Sequence, residues 1–104
     1  MDIKNLTDKV DKYIQAQGGY WDPGWLLAAI TEELGELSRA LQTYYNVRSL
    51  IYEKQKKTKE MRIEEECGDL FFALICLTNF LGINLETALL KTLKKYESRE
   101  IDSH

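Results

Sequence analysis

Acidic residues three positions apart, occurring twice, are the part of this sequence with the clearest chemical use. Glu33 and Glu36 stand in the run Glu-Glu-Leu-Gly-Glu at 32–36, and Glu66 and Asp69 in Glu-Glu-Glu-Cys-Gly-Asp at 64–69. On a helix, residues three apart share a face, so two such helices side by side would bring four carboxylates to one place. Donors that are all oxygen favour a hard cation, Mg²⁺ or Mn²⁺. A di-iron site built on Glu-x-x-His pairs lacks its ligands, because the single histidine is His104 at the last position. Mg²⁺ commonly keeps waters and shares its shell with a substrate's phosphates, which points to a phosphorylated small molecule as the remaining ligand.

An acidic pair alone is more often a solvated helix face than a site, so the elements that carry the pairs decide the matter. Ile3, Leu6, Val10, Tyr13 and Ile14 recur at intervals of three and four, which predicts one amphipathic helix over 3–16, closed by Gly18 and Gly19. Asp22-Pro23 reads as an N-cap with proline at the first helical position. From there Leu27, Ile30, Leu34, Leu37, Leu41 and Tyr44 predict a second helix running into the forties with a bundle-type seam. Glu33 and Glu36 fall on its flank, beside the small residues Ala29 and Ala40.

Between Val47 and Lys59 the apolar spacing weakens while Lys54, Lys56, Lys57 and Lys59 crowd together. Two readings stand open here: a solvated loop or frayed helix end, and a mobile basic flap over an anionic ligand. A third helix follows over about 61–81, with Ile63, Leu70, Ala73, Leu74, Leu77 and Leu81 as its core stripe and Phe71, Phe72, Ile75 and Cys76 on the other faces. A helix apolar on nearly all sides is a surrounded helix, so a second subunit is expected to cover it. Glu66 lies about 40° from Leu70 on the wheel, inside the stripe, where an unpaired charge would cost several kcal/mol. Something must neutralise it. After Gly82, Asn84 is the expected N-cap of a last helix whose inner face is Leu85, Leu89, Leu93 and Tyr96 and whose C-terminal half carries Lys91, Lys94, Lys95 and Arg99.

The fold expected is therefore all-α, a four-helix bundle of one small domain over 1–104, completed by oligomerisation as a homodimer or homotetramer. With 104 residues the core is small, which favours assembly. A net charge of -3 argues against a nucleic-acid partner. The N-terminus lacks a basic region followed by an apolar block, and the run Leu70–Leu77 is too short to span a bilayer. No membrane association and a cytoplasmic location are expected, with Cys67 and Cys76 reduced, since nine positions apart on one helix they face opposite sides.

Glu32-Glu33-Leu34-Gly35-Glu36, the segment Glu65 to Asp69 running into Leu70-Phe71-Phe72, the stretch Phe80 to Ala88, and Lys95-Tyr96-x-x-Arg99 together resemble the MazG-like branch of the all-α nucleoside triphosphate pyrophosphohydrolases. The likeness covers about residues 20 to 100. It implies that Glu33, Glu36, Glu66 and Asp69 bind Mg²⁺, that Glu32 is an accessory acid, and that Lys91, Lys95 and Arg99 face a phosphate chain. It also implies cleavage of a nucleoside triphosphate between its α and β phosphates, with Glu33 or Glu36 taking the proton from water. This sequence departs from its relatives in a long spacer between Glu36 and Glu66 and in Leu93, where asparagine is frequent.

Trp21 and Trp25, just ahead of the acidic helix, are candidates for stacking on a base, although Trp25 also reads as core. The rival expectations are a phosphoribosyl-ATP pyrophosphohydrolase on the same fold, and a non-catalytic helical dimer whose carboxylates hold a structural cation or pair with Lys and Arg.

Overall fold

The computed structural model describes residues 1–47 and 53–102. Four helices make up the described chain: α1 (Ile3–Ala16), α2 (Pro23–Val47), α3 (Glu53–Phe80) and α4 (Leu85–Asp102). Their ends follow local chemistry. The Asp2 carboxylate accepts from the Asn5 N–H at 2.8 Å and caps α1. Asp22 accepts from the N–H groups of Gly24 and Trp25 at the start of α2, and Asn84 accepts from that of Thr87 at the start of α4.

Both expected glycine stops are present. Gly18 (φ 109°) and Gly82 (φ 69°) take the left-handed conformation that an L side chain resists. At each, a pair of backbone bonds closes the helix: Gly19 N–H to the Ile14 carbonyl with Gly18 to Gln15, and Ile83 to Thr78 with Gly82 to Asn79.

The chain divides into two compact units. The first comprises Met1–Tyr20 and the chain from Thr78 onward. In it α1 packs with α4, and the Tyr20 hydroxyl is a polar hub: it donates to Asp11 at 2.7 Å and accepts from Asn79, which also donates to the Thr7 carbonyl. The Tyr20 ring meets Phe80 edge to face, with centroids 6.4 Å apart.

The second unit, Trp21–Leu77, carries both acidic pairs. Here α2 and α3 run antiparallel, as the cross-helix partners show: Glu36 meets Arg62, and further along α2 Tyr44 donates to Glu60, earlier in α3.

Four expectations change. The third helix starts at Glu53 rather than near 61, so residues 53–59 are helical and not a loop; residues 48–52 lie outside the described residues. Lysine and glutamine are good helix formers, and a missing apolar stripe signals only that a stretch is not buried.

The seam of α2 is also displaced. Leu27 and Leu34 are 58% and 55% exposed, whereas Leu26 and Ala40 are buried, and Ala29, Glu33 and Glu36 are half-buried. In α3 the buried residues are Ala73, Ile75, Cys76 and Thr78, while Leu74 of the expected stripe is exposed. A helix apolar all round has no inner face that its wheel alone can choose. The same shift affects α4, where Leu89, Leu93 and Tyr96 are exposed and Leu85, Ala88 and Thr92 are half-buried.

Among the described residues no single helix is long and apolar enough to cross a membrane.

Candidate metal centre

Antiparallel packing of α2 on α3 sets Glu33 opposite Glu66 and Asp69. Carboxylate oxygens of these three residues lie within 4.8 Å of one another. Small side chains make that approach workable. Ala40 on α2 and Ala73 on α3 are buried to 5% and 7% exposure, whereas Gly35 and Gly68 beside the acids face open space and are not what permits the approach.

Burial and neighbouring acids both act on Glu33. The Glu33 carboxyl is pushed above the ordinary carboxylate range, first by desolvation, then by the charges of Asp69, Glu66, Glu32 and Glu36. The Glu66 side chain is only 12% exposed, as its place in the apolar stripe of α3 predicted. Its positive neighbour is Arg62, one turn earlier, with Nε 3.9 Å from its Oε1.

The remaining acid of the expected quartet stands apart from this cluster. Glu36 is clamped by two arginines, its Oε1 receiving Arg39 Nη1 at 3.2 Å and its Oε2 lying 3.6 Å from Arg62 Nη2. Neither arginine stood out in the sequence, yet both announce themselves by spacing: Glu36 to Arg39 is i to i+3, and Arg62 to Glu66 is i to i+4. Glu32 is exposed and acts on Glu33 through space. An open hollow of about 420 Å³, lined by Thr58, Met61, Arg62, Glu65 and Glu66, adjoins the cluster.

The donor set fits a hard divalent cation. Ligands on opposite sides of a Mg²⁺ ion stand about 4 Å apart, so oxygens within 4.8 Å need only a small side-chain movement to share one. The cluster contains no soft ligand. Both cysteines are free, Cys67 exposed and Cys76 buried, and burial raises the Cys76 thiol pKa.

A model of the MazG nucleotide pyrophosphohydrolase domain matches residues 22–103, across α2, α3 and α4. This chain belongs to that family. The chain is 41% identical over 103 residues to the YpjD protein of Bacillus subtilis, covering 96% of this chain and 87% of that one. The crystal structure of Bacillus subtilis YPJD superposes with a TM-score of 0.77 at 37% identity, over 92% of this chain and 95% of that chain. A nucleoside triphosphate pyrophosphohydrolase of Escherichia coli is 37% identical over 59 residues, which is 56% of this chain and 22% of that enzyme. MazG membership makes this chain a pyrophosphohydrolase in general terms, with a nucleotide as its substrate.

The other expected site residues are distributed as follows. Lys91, Lys95 and Arg99 lie exposed on α4, in the first unit, with Lys95 Nζ and Arg99 Cζ 5.3 and 5.5 Å from the Tyr96 ring centre. Trp21 and Trp25 are 64% and 67% exposed, so Trp25 is not core.

Proposed function

We propose that this chain hydrolyses a nucleoside or deoxynucleoside triphosphate to the monophosphate and pyrophosphate, with Mg²⁺, or Mn²⁺ in its place, held by Glu33, Glu36, Glu66 and Asp69. The observation that carries the reading is the convergence of Glu33, Glu66 and Asp69 from two helices onto one point in a chain of the MazG family. Glu36 would complete the set by turning away from Arg39 and Arg62. The bound cation would supply Lewis-acid polarisation of the α-phosphoryl group and a water of lowered pKa. Glu33 or Glu36 takes the proton, Glu32 reinforcing the negative field, while Lys91, Lys95 and Arg99 would contact the phosphate chain and Trp21 and Trp25 the base.

Residues 1–104 would act as one domain of that activity, in the cytoplasm, where free thiols such as Cys67 and Cys76 persist. Assembly into a homodimer or homotetramer is supported by the exposed seam Leu27, Leu34 and Leu41 on α2 and by Phe71 and Phe72 on α3. Nucleotide-pool housecleaning is the role this activity would serve.

The deciding experiment measures pyrophosphate release from a panel of canonical, deoxy and damaged triphosphates with Mg²⁺ or Mn²⁺. No release from any of them would overturn the reading. Trp21→Ala should raise KM for at least one nucleotide; an unchanged KM across the panel removes Trp21 from the site.

The Arg39–Glu36–Arg62 ion pairs favour one alternative, in which the acids are structural and paired with arginine. Calorimetric Mg²⁺ titration with and without a non-hydrolysable triphosphate separates the two. Nucleotide-dependent Mg²⁺ binding is expected for the enzyme alone.

A further inference from the structure

Farther along the same two helices the charge reverses. A pocket of about 160 Å³ is lined by Arg39, Thr43, Lys59 and Arg62, with Ala40 as its apolar side. All five residues belong to the α2–α3 unit. Three cations face this pocket; Glu36 pairs with Arg39 and Arg62, and Glu66 with Arg62.

The donors are not used up. Glu36 engages Nη1 of Arg39 and Nη2 of Arg62, and Glu66 lies beside Arg62 Nε, while each guanidinium carries five N–H groups in a planar fork. Lys59 is half-buried and forms no ion pair among the described residues. The pocket therefore presents three cationic groups, Arg39, Lys59 and Arg62, with donors to spare for a further acceptor. Two guanidinium forks, an ammonium and a hydroxyl are a donor set for a tetrahedral oxyanion.

Its distance from the carboxylates suits a chain of phosphates. At 1.5 Å rise per residue, Arg62 lies about 6 Å and Lys59 about 10 Å along α3 from Glu66. The distal groups of a triphosphate whose α-phosphoryl group sits at the carboxylate cluster are long enough to reach this pocket.

We propose that the Arg39–Thr43–Lys59–Arg62 pocket binds the β and γ phosphates of the substrate, the part that departs as pyrophosphate. This rests on the reading of the chain as a triphosphate pyrophosphohydrolase, and it adds a phosphate subsite on α2 and α3 to the one assigned to α4. It also gives Lys59, at the end of the lysine-rich segment, a specific role.

The test uses inorganic pyrophosphate as the probe, titrated calorimetrically into the full chain in EDTA. Wild type should bind, Lys59→Gln and Arg39→Gln should each weaken binding about tenfold or more, and Lys57→Gln, exposed on the same helix, should leave it unchanged. In steady-state assays Lys59→Gln should raise the triphosphate KM and the pyrophosphate inhibition constant together. A rise in the inhibition constant alone, with non-competitive inhibition, would mean that the pocket takes a free anion, and would overturn the assignment to substrate. So would absence of binding by wild type, or unchanged binding in both pocket variants with their helical circular dichroism retained. Failure of the enzyme reading looks different: pyrophosphate binds through Lys59 and Arg39, yet no triphosphate is cleaved.

Discussion

The two sides of α2 are used in opposite ways. The flank with Ala29, Glu33, Glu36 and Ala40 turns toward α3, although it holds two acids, while the apolar seam of Leu27, Leu34 and Leu41 stays exposed. Burial inside one chain has gone to the polar site, where small residues let the helices bring carboxylates together. The larger apolar area is left over, as expected of a chain too small to bury it all. Apolar spacing alone therefore only partly locates the intrachain contact here, since Leu26 is buried and Ile30, Leu37 and Tyr44 are half-buried while Leu27, Leu34 and Leu41 are not.

The strongest way to break this contrast is on the acid side. Asp69→Asn and Glu36→Gln are each expected to lower pyrophosphate release at least a hundredfold, or about 2.7 kcal/mol, with the helical signal kept. Full activity in either variant would mean that the flank is not the site. On the opposite side, Leu34→Glu should convert the assembled wild type to a smaller species in sedimentation velocity; a wild type that is already monomeric removes that role from the seam.

Mg²⁺ sharpens the comparison thermodynamically. At a hundred times its dissociation constant the cation should stabilise the fold by about 2.7 kcal/mol, seen as a rise in Tm that Glu66→Gln removes and Leu34→Glu does not. As a control in the other unit, Tyr20→Phe deletes a hydroxyl that donates to Asp11 and accepts from Asn79. The expected cost is about 1 to 3 kcal/mol in denaturant unfolding, with the Mg²⁺ response unchanged.

The smallest effect is on pH. In metal-free protein the raised Glu33 carboxyl makes the folded state bind more protons than the unfolded one between the ordinary carboxylate range and its raised pKa. Its stabilising protonation is fully present below that range and is lost as pH rises through the folded value. Glu33→Gln should abolish that slope; an equal slope in EDTA would assign it elsewhere.

Much of the fold was legible because its signals are local. Asp22 and Asn84 cap helices within their own first turns, Gly18 and Gly82 end them, and the three-residue spacing of each acidic pair puts its members on one helix face. Glu66 could be expected to need a neutralising neighbour because a charge sat in an apolar stripe. The start of α3 was misjudged because lysine-rich helix and lysine-rich loop look alike when neither is packed.

The sequence by itself determined that there would be helices, where most of them end, and which acids could meet. Only the tertiary structure decided that Glu33, Glu66 and Asp69 converge while Glu36 is held by Arg39 and Arg62, and that Lys59 joins those arginines around a pocket. The reason is geometric. Caps and stops depend on neighbours a few residues away, whereas the facing of two helices depends on the rotation of each about its axis, which the later half of α3, apolar on nearly every side from Leu70 to Leu77, leaves open until its packing partners are in place.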